Sequence, residues 1–428
     1  MTWGARACLI AALLAATNSL ADDRDQASYS AGERDVAGRF MGGTEMRNLA
    51  AHGGRLYAGN GYWKDQPGPE GRQGAQILVL DGAAARWRVE HSLEPRHLAI
   101  AALQSASFSM DHSGRPLARP VSMLFAGTWD LSGASQLMAR NDASGTWTDI
   151  ALPVPRVTSG IQQVRALATH RDRLFVGNDR HGILSGGYDP AAPGGIRWSE
   201  ALELDVARLS PPSAPGLSLL RVSSFAACNG VLYAAIGQQI YRRVDSPSPR
   251  WELFYTNPRP GYSETGLRGL TALANSLLVA VEGDASRIIR IDPSTGAETT
   301  ELDVRAFLDQ RWGTRVGYVI AAYNDMAPVR GALFIGIEAF LPATAPVPAG
   351  HARVGGLDGG GWAIVRHDER RYDLRRVGAT NSLVATRAIA ASPFAGDADV
   401  VYFAGYDANK RPAHNTAWIF RGKATPER

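Results

Sequence analysis

One short step recurs along this chain and leaves few folds open to it. It reads MRNLAAHGGRLYAGN from Met46 and VRALATHRDRLFVGN from Val164. Looser copies are VSSFAACNGVLYAA from Val222, LRGLTALANSLLVAV from Leu267 and NDMAPVRGALFIGI from Asn324. A degenerate copy begins at Thr386, and another runs from His97 to Gly127 with DHSGRPLARP inserted between its two strands. Each copy is a pair of apolar runs around a turn. Runs of about four to eight residues rich in Val, Leu, Ile and aromatics fit strands better than helices. Between Val164 and Leu204 four such runs follow one another, enough for one antiparallel sheet. A single sheet cannot bury both faces by itself, whereas repeated copies bury them by packing face to face around an axis.

The fourth strand carries its own mark, a basic or polar residue before an aromatic: Arg86-Trp87, Thr146-Trp147, Arg197-Trp198, Arg250-Trp251 and Arg371-Tyr372. These rings suit packing between neighbouring sheets, with a carbohydrate platform as the sharper alternative. First strands near residues 47, 97, 165, 223, 268, 324 and 387 predict an all-β fold. The expected form is a seven-bladed β-propeller of four-stranded antiparallel blades. Spacings longer than the roughly 40–45 residues of a compact repeat leave six or eight blades open. The last unit ends one strand short, so the N-terminal segment around Glu33–Phe40 is expected to close the ring and remove its exposed edges.

Arg6, the apolar stretch 7–16 and Ser19-Leu20-Ala21 together read as a secretory signal peptide over residues 1–21. A single domain over 22–428 follows, expected in the periplasm or secreted. Removing the leader takes Cys8 with it and leaves Cys228, which excludes an internal disulfide or a cysteine metal cage. Cys228 lies in an apolar strand and reads as a small buried residue. No later run is long enough to span a membrane. The formal charge of +4 and the lack of a Lys/Arg-rich run argue against a nucleic-acid partner.

Long connections follow second strands: YWKDQPGPEGRQGA after Gly61, the stretch from Glu338 to Trp362, and GYDANKRPAHNTAW from Gly405. TNPRPGYSETG, with Arg259, Tyr262 and Glu264, reaches the same end. Loops of this length commonly form binding walls or lids, so the site is expected there. First strands begin at that end with Arg47, Arg165, Arg268 and Arg387, an incomplete cationic rim; the other units present His97, Ser223 and Asn324. Arginine binds carboxylate or phosphate bidentately. The structural alternative has each arginine bonded to strand carbonyls or paired with Glu45, Asp179, Glu282 or Asp325.

The candidate ligand contacts are therefore Arg47, Arg165, Arg268, Arg387, Asn324, Trp63 and Trp129. If the rim neutralises a uronate carboxylate, a Tyr or His acts as base and another as acid in β-elimination. The candidates are His97, His414, Tyr62, Tyr262, Tyr318 and Tyr406. His52 and His170 fall near the opposite end and read as structural. No metal site and no cofactor is predicted. Calcium near Asp65, Asp179, Asp284 and Asp407, or a transition metal held by histidines from several blades, has no supporting motif. GxSxG, a phosphate-binding glycine loop, CxxCH and a dinucleotide fingerprint are all lacking.

The RLYAGN, RLFVGN and VLYAAI strands, with the RW marks, resemble the secreted bacterial members of the broad kelch- and YVTN-type propeller group over roughly residues 33–421. The chain departs from that group's stricter members in lacking a regular WD dipeptide, paired kelch glycines and Asp-boxes. The resemblance implies a propeller and a bacterial periplasm. It selects no activity, because the group holds lyases, hydrolases, dehydrogenases and binding modules. Three functions are expected to compete: binding of an anionic small molecule or acidic oligosaccharide at the loop-bearing end, a polysaccharide lyase using the same arginines, and a protein-interaction scaffold. The scaffold would use Trp63, Trp129 and loop 338–361 as its partner surface.

Overall fold

The apolar runs pair as antiparallel strands, and among the described residues the one α-helix is Val304–Trp312. The computed structural model describes residues 25–62, 71, 73–134, 136–155, 162–209, 220–245, 248–346, 352–354, 357–359, 361–378, 385–406 and 415–424. The leader, Trp63 and His414 lie outside the described residues.

The strands assort into four-stranded meanders. Unit one is Glu45–His52, Arg55–Gly61, Gln76–Leu80 and Arg88–Ser92. Unit two is His97–Met110, Pro116–Asp130, Gln136–Asn141 and Thr146–Ala151. Its first two strands form one long hairpin, and half of the expected DHSGRPLARP insertion, residues 116–120, belongs to the second of them. Unit three is Gln162–His170, Arg173–Asn178 and Gly182–Tyr188, with Ile196–Trp198 and Leu204–Asp205 sharing the fourth place. Unit four runs Val222–Cys228, Val231–Ile236, Gln239–Val244, Arg250–Thr256. Unit five runs Leu267–Leu273, Ser276–Val281, Arg287–Ile291, Glu298–Asp303.

The first strand of unit six is broken into Tyr318–Ala321 and Ala327–Val329, both paired with Ala332–Phe340; Trp362–Asp368 and Arg371–Arg376 follow. The long connection from Glu338 to Trp362 is more than a loop. It contains a ribbon, Ala352–Val354 against Leu357–Gly359, joined to Phe340. Unit seven is Ala385–Ala391, Val400–Tyr406 and Trp418–Lys423, and its fourth strand is Gln26–Ser30. The strand from the chain start thus lies upstream of the segment expected from sequence. Glu33–Arg34 instead pairs with Phe40–Met41 in a small hairpin of its own.

First strands of units one to five lie side by side in chain order, that of unit six lies against that of unit seven, and that of unit seven against that of unit one; units five and six meet where Gly269 faces Ala322. Second strands are sandwiched by their own sheet and by the next unit. Val231–Ile236, Ser276–Val281 and Val400–Tyr406 are accordingly buried almost throughout, which explains why the RLYAGN-type runs are apolar without alternation. The glycine in these runs marks the closest approach. A Cβ on Gly59 would lie 2.6 Å from Ile100, and one on Gly177 would lie 2.6 Å from Val222, both in the next first strand.

The aromatic of the fourth-strand mark joins alternate neighbours. Trp147 Nε1 donates to Glu90 of the preceding unit at 3.1 Å, and Arg140 Nη2 meets the same carboxylate at 2.8 Å. Trp251 and Arg243 repeat this on Glu203 at 3.2 and 2.7 Å, and Tyr372 and Arg366 repeat it on Glu301. The rings serve as packing and bonding elements between sheets. Cys228 is buried in its strand.

Candidate functional site

Each first strand is irregular at nearly the same place, and that irregularity aims the arginines. In units one, three and seven the ladder skips one residue: Arg47 between Met46 and Asn48, Arg165 between Val164 and Ala166, Arg387 between Thr386 and Ala388. In unit five the shift follows Arg268. A β-bulge leaves one residue unpaired and re-aims its side chain. At the corresponding skip, unit four has Ser223 and unit two has Ala101. Arginine therefore occupies units one, three, five and seven, with small residues at units two and four.

Unit six supplies the piece that sequence reading missed. Residues 322–326 of its first strand face only two residues of the partner strand, and the excess carries Tyr323 in among the arginines. The bulge is strained: Ala322 has φ +51°, a region that costs an L-residue about 1–2 kcal/mol. It fits because Gly269 (φ +58°) offers no Cβ on the facing strand.

Around Tyr323, Arg387 Cζ lies 3.9 Å from the ring centroid, Arg268 Cζ 4.6 Å and Arg47 Cζ 5.3 Å. Arg47 Nη2 donates to Tyr323 Oη at 2.9 Å, and Arg268 Nη1 to the Tyr323 carbonyl at 3.1 Å. Asn324 Nδ2 reaches the Arg47 carbonyl at 2.7 Å.

Each arginine also has a carboxylate, so the cluster is not an open rim. Arg47 pairs with Glu45 at 3.1 Å, Arg165 with Asp179 at 3.1 Å, Arg268 with Glu282, and Arg387 with Glu338 at 2.9 Å. Asp325, a possible partner on sequence grounds, takes no part, and Glu338 fills the fourth place. The Arg387–Glu338 contact is close but is not aligned as a hydrogen bond. Arg387 Nε and Nη1 are buried without an acceptor among the described residues, as are Arg47 Nε and Arg221 Nε. Arg221 lies 3.9 Å from Asp179 and adds a fifth guanidinium.

Titration follows from this packing. Burial pushes the Tyr323 phenol up, but Arg47, Arg165 and Arg387 outweigh it and hold the group down at about 8. Burial opposes charge on Arg387, yet Glu338, Tyr406 and Tyr323 raise its pKa. Burial lowers that of Arg221, and Arg165 lowers it further. Beyond the cluster, Asn48, Gln104, Ser223, Asn324 and Asp325 help line a chamber of about 120 Å³. Asp325 lines that chamber and is exposed there. Desolvation without a compensating cation raises its carboxyl to about 6.

The remaining candidates scatter. Tyr406 belongs to the cluster: its ring lies 4.8 Å from Arg387 Cζ, its hydroxyl donates to Glu338, and burial and Glu338 raise its pKa well above the ordinary value. Trp129 is buried against Arg47, 5.2 Å from ring centroid to Cζ, and so offers no partner surface. Tyr62 is buried. His97 lies off the arginine phase, buried 3.3 Å from Asp130, and burial together with Arg96 lowers its pKa. His52 bonds Ser105 and Asp142, away from the cluster. Tyr262 and Tyr318 meet edge to face at 6.2 Å beside an open cleft. Among the described residues no three His, Cys, Asp or Glu side chains come together as a metal site, and no helix is long and apolar enough to cross a membrane.

No family model matches the chain, and no curated protein matches its sequence. Among solved structures, a structural genomics protein of unknown function from Bacteroides thetaiotaomicron VPI-5482 superposes with a TM-score of 0.43 at 9% identity, over 93% of this chain and 75% of that one. U3-55K superposes with a TM-score of 0.49 at 9% identity, over 93% and 98%. Neither likeness assigns a fold or a function.

Proposed function

We propose that the meanders close into a seven-bladed β-propeller and that the protein, exported after loss of its leader, binds an anionic small molecule or acidic oligosaccharide at the loop-bearing end of the channel. Closure is supported by the return of the first-strand succession to unit one and by the strand Gln26–Ser30 completing unit seven.

One observation carries the binding reading. Five guanidiniums (Arg47, Arg165, Arg221, Arg268, Arg387) face four carboxylates (Glu45, Asp179, Glu282, Glu338), and buried N–H groups of Arg387 lack an acceptor. A buried donor without a partner costs free energy that an incoming oxyanion recovers, and charge-assisted bonds to arginine are the strong ones. Calorimetric titration with galacturonate, with glucose as the neutral control, tests this. Galacturonate is expected to bind, to weaken with added salt, and to lose at least about tenfold in affinity, some 1.4 kcal/mol, in Arg387→Gln. Binding of both sugars alike, or no binding of galacturonate, overturns it.

A second reading, β-elimination on a uronate, is favoured by the lowered pKa of Tyr323. In this reading the Tyr323 phenolate takes the C5 proton, the C4–O bond breaks, and its electrons leave on oxygen as the C4–C5 double bond forms. Unsaturated product from polygalacturonate, absent with Tyr323→Phe, is its signature.

A further inference from the structure

On the same end, an open cleft of about 870 Å³ lies between units five and six, within the size range of small-ligand sites. Three segments distant in sequence line it: the loop bearing Tyr262, the stretch 313–318 after the helix, and Pro342–Pro346.

Tyr262 is 52% exposed, yet its backbone is pinned. Its N–H donates to Asp284 Oδ1 at 2.8 Å and its carbonyl accepts from Asp284 N at 3.3 Å. Gly283, at φ +124°, lets this carbonyl approach so closely that a Cβ there would lie 2.1 Å away. Tyr318 holds the ring edge-on, and Phe340 holds Tyr318 in turn at 5.7 Å. A large ring displayed on a fixed loop is a preformed stacking surface.

The polar groups beside it are partly unspent. Arg315 is exposed and has no carboxylate partner among the described residues. Arg305 donates through Nη1 to the Asp284 carbonyl, while its Nε is buried without an acceptor. Thr314, only 7% exposed, has an unpartnered hydroxyl. Asp284 spends one oxygen on Tyr262 N and keeps the other for a donor. An aromatic face among cations, a hydroxyl and a carboxylate matches an acidic sugar better than a bare anion. The sugar offers a C–H face, a carboxylate and hydroxyls that both donate and accept.

We infer that this cleft is a subsite for one uronate residue of an acidic oligosaccharide, with the sugar ring on Tyr262, its carboxylate on Arg315 and Arg305, and its hydroxyls on Thr314 and Asp284. The inference deepens the proposed function and rests on it for the choice of ligand class. It does not need the central cluster to bind. The cleft is nonetheless joined to that cluster: Tyr318 Oη donates to Glu282, which pairs with Arg268.

The test is calorimetric titration of the mature protein with trigalacturonate, and with maltotriose as its neutral counterpart. Tyr262→Ala and Arg315→Gln change exposed side chains and leave the core alone. Each is expected to weaken trigalacturonate by at least about tenfold, with maltotriose binding the native protein far more weakly. Trigalacturonate affinity unchanged in both variants overturns the inference, as does equal binding of maltotriose or no binding at all. If Arg387→Gln abolishes binding while the cleft variants do not, the subsite fails and the cluster reading stands; the reverse pattern sinks the cluster and keeps the cleft.

Discussion

Gly269→Ala tests whether Tyr323 is held in place by the packing described above. A Cβ at position 269 would lie 2.3 Å from Ala322 Cβ and 3.0 Å from its carbonyl oxygen. Neither atom is the end of a flexible side chain, so the strained bulge itself must move. Two costs add. An L-residue at φ +58° loses about 1–2 kcal/mol, and overpacking a filled site costs about 1–3 kcal/mol. The variant is expected to be about 2–5 kcal/mol less stable, read by urea unfolding followed by tryptophan fluorescence. Ala322→Gly gives the control. It removes the atom that is struck and relieves about 1–2 kcal/mol of left-handed strain, offset by about 0.5–1 kcal/mol of extra chain entropy. Alone it should be between neutral and about 1.5 kcal/mol stabilising. Combined with Gly269→Ala it should recover the steric share, a coupling of about 1–3 kcal/mol. Additivity within about 0.5 kcal/mol, the behaviour of independent sites, refutes the contact and with it the account of how Tyr323 is placed.

Other outcomes follow from the same geometry. With its phenol at about 8 when folded and about 10 when unfolded, Tyr323 contributes stability that is fully present above pH 10 and lost as pH falls through 8. An ultraviolet titration should show one phenolate forming near pH 8 that is missing in Tyr323→Phe; no ionisation below about pH 9 counts against the cluster's positive potential. Glu301→Gln leaves Arg366 without its buried partner and should cost about 3–5 kcal/mol at neutral pH. Burial opposes ionisation of Glu301, but its bonds to Arg366, Tyr372 and Arg290 lower its pKa. Its contribution is therefore present above about pH 4.3 and lost as pH falls through the lower folded value. Unfolding at pH 7 and at pH 3 should show the deficit shrinking in acid, and a deficit under about 0.5 kcal/mol at pH 7 refutes Glu301 as a stabilising link between units five and six.

Much of the architecture was legible because it is written in local terms. Strand length, turns and apolar composition act over a few residues, and the RLYAGN-type step carries all three. Its glycine and its unbroken apolar run also record the approach of a neighbouring sheet, although the neighbour's identity is not in the motif. The positions of Arg47, Arg165, Arg268 and Arg387 were readable as a phase, and so were three of their carboxylates, Glu45, Asp179 and Glu282.

Other features depended on how the ladders slip. A one-residue shift moves a side chain to the opposite face, and no local pattern announces where a bulge falls. The phase gives Asn324 for unit six, whose longer bulge also brings its neighbour Tyr323 in among the arginines; it gives His97 for unit two, where the corresponding skip falls at Ala101. Trp129 reads as an exposed ring from its loop-end position, whereas Arg47 covers it. The strand that completes unit seven also lies earlier than its pattern implied, since Gln26–Ser30 is selected by the free edge of Trp418–Lys423 rather than by its own composition. Sequence alone determined the repeating strand unit and the residue types brought to one end of it. Only tertiary structure decided which of them meet, because pairing register and the close approach of sheets depend on contacts between segments far apart in the chain.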